Sequence, residues 1–147
     1  MKIAFFTLIG LFISLAAFSQ AVSDSVAIKQ LLEKESTTYR SGDWKAHADC
    51  WKIQPYSRIV VSTPDGKMID VPPAVMVNSQ GNRPGSGGTF SISNFKVSVM
   101  GNSAWVSHDE ISTSKDGKNS YSAEFKMLEK INGEWKIVGM SVHAYNK

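Results

Sequence analysis

The chain has 147 residues, 42% hydrophobic and 20% charged, with 16 Lys+Arg against 13 Asp+Glu. That length suits one domain with a real core, and so small a cationic excess, with no basic run, leaves no footprint for extensive nucleic-acid binding. Cys50 is the only cysteine, which excludes a disulfide scaffold.

Residues 1–19 read as an address. Lys2 supplies a positive start, fourteen of the nineteen residues are hydrophobic, and Ala17 and Ser19 stand at the −3 and −1 positions of a signal-peptidase site. Gln20 is then the first mature residue, with cleavage after Ala21 as the alternative. The apolar stretch falls short of the roughly 20 residues that span a bilayer, and no cysteine stands nearby to carry a lipid. The expectation is a cleaved signal (1–19) and an extracytoplasmic domain (20–147), periplasmic or secreted, free of the membrane once the signal is removed. Cys50 should be buried there, as a small hydrophobe.

Asp24 or Ser25 can cap a helix whose inward stripe is Ile28, Leu32, the Glu35 stem and Tyr39, widened by Leu31 and stopped by Gly42. Asp43 caps a second, shorter helix that Pro55 ends. There Trp44, His47, Ala48 and Trp51 stand at i, i+3, i+4 and i+7, placing two indoles and an imidazole on one face. The period then changes to two: 57–63 and 67–71 flank Pro64-Asp65-Gly66 as a hairpin. Pro72-Pro73 closes that strand and opens a short third helix through Val77. Residues 78–88 hold four glycines, a proline and no apolar residue, and read as a loop.

Four long strands follow, at 90–100, 104–113, 120–131 and 135–145, punctuated by Gly101-Asn102, Asp116-Gly117 and Asn132-Gly133. Helices first and a meander after make an α+β fold: a curved antiparallel sheet of about six strands covered by two to three N-terminal helices. Long strands twist and curl, so such a sheet under helices encloses a concave space. A lipocalin-like barrel also follows a signal peptide, but it needs eight up-and-down strands and no leading helix pair.

Three stretches carry a family resemblance: Tyr39-Arg40-Ser41-Gly42-Asp43-Trp44 at the helix junction, Gly101-Asn102-Ser103-Ala104-Trp105-Val106 opening a strand, and Asn132-Gly133-Glu134-Trp135-Lys136-Ile137-Val138 opening the last one. With the element order, they make nearly all of 23–147 resemble the nuclear-transport-factor-2-like superfamily, particularly its SnoaL-like branch. The resemblance implies a cone-shaped α+β barrel, a pocket at its wide end and dimerisation through the outer sheet. It implies no one activity, since isomerases, cyclases, dehydratases and plain binding domains share the fold.

Candidate chemistry centres on the histidines. His47 shares its stripe with Trp44 and Trp51, either lining a pocket or packed with them as core. On the strand from Ala104, one face carries Ala104, Val106, His108 and Glu110, so His108 enters the cone if Ala104 and Val106 face inward. His143 falls in the pocket or in a dimer interface. Three histidines on three elements, with no H-x-x-x-H, give no metal-ligand spacing, and no G-x-S-x-G elbow is present. No metal and no cofactor is expected. In the isomerase branch a pocket carboxylate acts as base and a Tyr polarises a carbonyl. Tyr39 suits the second role, but Asp43 reads as an N-cap, Asp49 falls off the stripe, and Glu124 alternates with Phe125.

The leading expectation is therefore an exported domain that binds a small, partly apolar molecule, with Tyr39, Trp44, Trp51 and Tyr56 as aromatic walls and His47 and His108 as polar handles. The alternatives are a lyase, isomerase or hydrolase with His47 or His108 as general base, and a non-catalytic homodimeric module associating through the outer sheet and Trp105.

Overall fold

The computed structural model describes the backbone of residues 4–80 and 84–147, and side chains from residue 22 onward. The expected export signal, 1–19, thus lies outside the residues whose side chains are described. Helix α1 (Ala4–Ser41) runs straight through the expected capping position. Asp24 starts no helix because its carboxylate is used elsewhere: it is buried, and its Oδ1 accepts from Trp135 Nε1 at 2.9 Å and from Lys130 Nζ at 2.6 Å. The helix ends where Gly42 was expected to end it. Gly42 takes φ +77°, favourable only for glycine, and its N–H donates to Thr38 O at 3.0 Å.

Helix α2 (Trp44–Ala48) begins as expected, with the Asp43 carboxylate accepting from Ala46 N at 3.0 Å. It stops well short of Pro55. Residues 50–52 are claimed by the sheet instead: Ile137 N donates to Cys50 O at 2.9 Å, and Lys52 N donates to Ile137 O at 3.0 Å. Trp51 therefore sits on an extended bridge beside Ile137, not on the helical stripe of Trp44 and His47. The expected third helix is a single 3-10 turn, Pro73–Val75.

The strands are β1 (Ile59–Ser62), β2 (Met68–Val71), β3 (Thr89–Met100), β4 (Ser103–Thr113), β5 (Asn119–Ile131) and β6 (Glu134–Tyr145). They form one sheet in the order β2-β1-β6-β5-β4-β3. All neighbours are antiparallel except β1 and β6, which run parallel. The fold is α+β as expected, and the curved sheet is left open, with β2 and β3 as its edges. Bulges between Ser93 and Lys96 and between Met127 and Leu128 interrupt its ladders, and such bulges bend a strand and sharpen its twist.

The core lies between α1 and the concave face. Ile28 and Leu32 pack with Ala104 and Val106 of β4, Leu128 of β5, and Trp135 and Ile137 of β6. Cys50, Trp51 and Ile59 complete the cluster, Cys50 buried as expected. Farther along the same inward faces the residue types change. Leu32 is followed by Glu35 and Ser36, Val106 by His108 and Glu110, and Leu128 gives way to Lys126 and Glu124, all buried. One end of the concavity is apolar and the other is ionic.

Candidate functional site

At the ionic end a cavity of about 560 Å³ opens between α1, the 3-10 turn and the sheet. Its wall has two characters. Val61, Val71, Met76, Met140, Val142 and Ala144 form an apolar side, whereas Glu35, Arg40, His47, Glu110, Glu124 and Lys126 bring charged and polar groups to the other.

Lys126 is the hub. It is 2% exposed, and its Nζ lies 3.0 Å from Glu35 Oε2 and 3.1 Å from Glu124 Oε2. The second Glu35 oxygen lies 3.2 Å from His47 Nε2. Burial alone pushes the Glu35 carboxyl up, but the Lys126 charge and the His47 contact outweigh it and hold the group down at about 2. Burial also opposes the Lys126 charge, and the two carboxylates overcome it, so its pKa is raised. Both groups are therefore ionised at neutral pH. A second cluster stands on the same wall. Arg40 Nη2 donates to Glu110 Oε1 at 2.6 Å and also reaches Ser112 Oγ, while Ser36 Oγ donates to Glu110 Oε2 at 2.9 Å. The Arg40 guanidinium lies 4.7 Å over the Phe90 ring and donates from Nη1 to Ser36 O at 3.0 Å, which fixes its plane.

A glycine contact positions this wall. Gly87 N donates to Arg40 O at 2.9 Å. At Gly85 an added Cβ would lie 2.1 Å from the same carbonyl oxygen, so only glycine lets the loop lie against the end of α1.

The structure brings some of the expected site residues together and separates others. Tyr39 and His47 line the cavity. Trp44 is buried edge-on against Tyr39, with ring centroids 5.5 Å apart, and stands behind the wall. Trp51 belongs to the core cluster. Tyr56 does not reach the cavity: its ring is exposed and its hydroxyl donates to Glu129. His108 points inward with Ala104, Val106 and Glu110, as their shared parity requires, but it lies beneath the lining. Neither of its ring nitrogens has a hydrogen-bond partner, and Glu124 Oε2 is 3.7 Å from its Nε2. Burial first, then the Lys126 charge, lowers the His108 pKa, so the ring is neutral at pH 7. His143 lies exposed on the outer face between Ser62 and Ser141. Among the described residues no group of three or more His, Cys, Asp or Glu side chains converges to hold a metal ion.

Lys126 and Arg40 are site groups that sequence reasoning does not single out, and Glu124 is one it sets aside. Alternation with Phe125 counts against Glu124, yet Phe125 and Met127 face outward and are about half exposed. The signal that finds Lys126 and Glu124 is hairpin register. A turn at residues 114–118 pairs Val106 with Lys126 and His108 with Glu124, and directly paired residues share a face.

Comparison with known proteins bears on this geometry. A family model described as "SnoaL-like domain" matches residues 28–143. The chain belongs to the SnoaL-like domain family. No curated protein matches it. Among solved structures, a nuclear-transport-factor-2-like protein with a cystatin-like fold from Novosphingobium aromaticivorans is 17% identical, with 88% of this chain and 87% of that one covered and a TM-score of 0.65. A protein of unknown function from Mycobacterium tuberculosis is 16% identical, covering 88% and 76%, with a TM-score of 0.64. A nuclear-transport-factor-2-like protein of unknown function from Shewanella baltica is 18% identical, covering 86% and 97%, with a TM-score of 0.61. At such identities the likeness establishes the fold of this SnoaL-like chain and leaves its chemistry to its own residues.

Proposed function

We propose that this SnoaL-like domain binds a small, partly apolar molecule in the cavity between α1 and the sheet, after export by its leading segment. One observation carries the reading: buried, ionised side chains stand at the wall of a cavity whose other side is apolar. Apolar residues of similar volume would fill the same space at equal or better stability. A concavity with a large apolar surface and a few convergent polar groups is the usual form of a small-molecule site. On this reading Tyr39 and His47 contact the ligand together with Arg40, Glu110, Glu124 and Lys126, which line the same cavity. Native mass spectrometry of the mature chain, with a thermal-shift screen of amphipathic metabolites, tests the reading. A bound species or a shift of several degrees is expected, and uniformly unshifted melting with no bound species would overturn it. The exposed outer-face side chains Trp105, Phe125 and Met127 support self-association through the sheet, and light scattering that gave a monomer at every concentration would remove that part.

A second reading, acid–base catalysis, is favoured by the His47–Glu35 contact. An ionised carboxylate on one imidazole nitrogen sets the ring's tautomer and orientation and stabilises the imidazolium. On this reading His47→Gln lowers turnover at least 100-fold while the cavity still binds, and a variant with preserved turnover disposes of it.

A further inference from the structure

His108 is a buried polar group that neither reading above uses. Its side chain is fully enclosed, and neither ring nitrogen has a hydrogen-bond partner. Buried polar atoms without partners are rare in native proteins. The charged groups around the ring come from two strands: Glu110 on its own β4, and Glu124 and Lys126 on β5. Helix α1 reaches these groups with Arg40, on Glu110, and with Glu35, on Lys126, and α2 reaches Glu35 with His47. On the other side β3 turns Ile92, Phe95 and Val97 to the core and its one charged residue, Lys96, to solvent.

Of the two nearby carboxylates, only Glu124 is free to answer a charge on the ring. Glu110 is held on both oxygens, by Ser36 at 2.9 Å and by Arg40 at 2.6 Å. Glu124 is the direct cross-strand partner of His108. Its Oε2 stands 3.7 Å from His108 Nε2, beyond hydrogen-bond reach. A protonated imidazole and a carboxylate close to about 2.7–2.9 Å, here a movement of about 1 Å. Oε2 can keep Lys126 meanwhile, since a carboxylate oxygen accepts two donors. The contact given up is the long one, Oε1 with the Ser122 hydroxyl at 3.1 Å. Glu124 and Ser122 both line the cavity, so the movement alters its wall.

We propose that His108 and Glu124 form a pH-sensitive latch in the cavity wall: protonation of His108 draws the Glu124 carboxylate inward and off Ser122, and deprotonation returns it. Burial first, and then the Lys126 charge, keep the ring neutral at pH 7, so the carboxylate rests outward there and the inward state belongs to acid pH. The latch goes beyond the ligand-binding reading, because it needs no ligand to operate.

The test is an NMR titration of the protein from pH 8 to pH 4, following the imidazole nitrogens and the backbone amides. His108 should take up its proton below about 6.5, and the Ser122 amide should move with the same midpoint. His108→Leu should abolish that Ser122 movement, whereas His47→Gln should leave it in place. Glu124→Gln should lower the His108 midpoint by at least half a unit and uncouple Ser122 from it, and this variant carries the comparison where His108→Leu fails to fold. A ring that stays neutral until acid unfolding, a His108 titration with no response at Ser122, or a Ser122 response that persists in His108→Leu overturns the latch. None of these outcomes bears on whether the cavity takes a ligand, which the binding screen decides separately.

Discussion

Removing the ammonium at the centre of the network is the most searching perturbation available. Lys126→Met preserves most of the stem volume but leaves Glu35 and Glu124 facing each other without the charge between them. The Glu35 carboxyl is held at about 2 against an ordinary 4.5, chiefly by Lys126 working against burial. At 1.36 kcal/mol per pKa unit that corresponds to about 3 kcal/mol, and breaking a buried pair by removing one partner typically costs about 3–5 kcal/mol. Against a domain stability of about 5–15 kcal/mol, the variant should lose a large fraction of its resistance to urea. The measurement is the urea midpoint at pH 7, read with the slope to confirm two-state unfolding.

The pH dependence separates this account from simple misfit of a methionine. A carboxyl whose folded pKa is lowered contributes stability that is full above its unfolded value, and loses it as pH falls from about 4.5 toward about 2. The raised pKa of Lys126 makes its own contribution constant throughout the acid range, since that part is lost only at high pH. The gap between wild type and Lys126→Met should therefore narrow as pH falls from 5 toward 3, while a packing defect would leave it unchanged. A loss under about 1 kcal/mol at pH 7, or a gap independent of pH, would refute the reasoning. Replacing all three residues together, as Glu35→Leu, Lys126→Met and Glu124→Leu, should recover most of the lost stability.

Two further predictions follow from the buried groups. His108 has a lowered pKa in the folded chain, so the unfolded chain takes up its proton first and stability should fall as pH drops through about 6.5 and below. His108→Leu should flatten that part of the melting-temperature profile, and an identical slope in the variant would discard the assignment. Cys50 is fully buried, donates weakly to Ala46 O at 3.3 Å, and has its thiol pushed up to about 11 by burial. The native protein should leave a thiol-reactive disulfide reagent unreacted for hours at pH 8 and react stoichiometrically in 6 M urea. Prompt labelling of the native chain would place the residue at the surface.

Much of the fold was legible because turn chemistry and alternation are local. The expected strand at 104–113 is Ser103–Thr113, and that at 135–145 is Glu134–Tyr145. Asp43 caps and Gly42 stops where their side-chain chemistry says they should. The errors have distant causes. Asp24 looks like a cap in isolation, and only its long-range partners Lys130 and Trp135, which bury it within a continuing helix, reveal otherwise. Trp51 fits a helical period, but the backbone around it pairs with Ile137 eighty-six positions away. The site was half legible for a related reason. Alternation divides a strand into two faces without saying which is inside. On β4 the facing stays conditional on Ala104 and Val106 until the structure turns them inward, while on β5 the apolar Phe125 argues for the wrong face.

That inversion on β5 ties the features of this protein together. Along residues 124–127 a strand places Glu124 and Lys126 inside a cavity and Phe125 and Met127 outside, the reverse of what burial of apolar area alone would choose. The outward side chains continue across the ladder: Trp105 pairs with Met127, and Phe125 lies between Ser107 and Ser141. Two departures from the hydrophobic rule on a single segment need two compensations. Inside, mutual pairing within the Glu35–Lys126–Glu124 bridge supplies it. Outside, the described chain offers nothing to cover the exposed aromatic and methionine side chains. A strand built this way carries a paired charge cluster on its inner face and an uncovered apolar surface on its outer one. The two can be separated experimentally, because Glu124→Gln changes only the inner demand and Phe125→Ser only the outer.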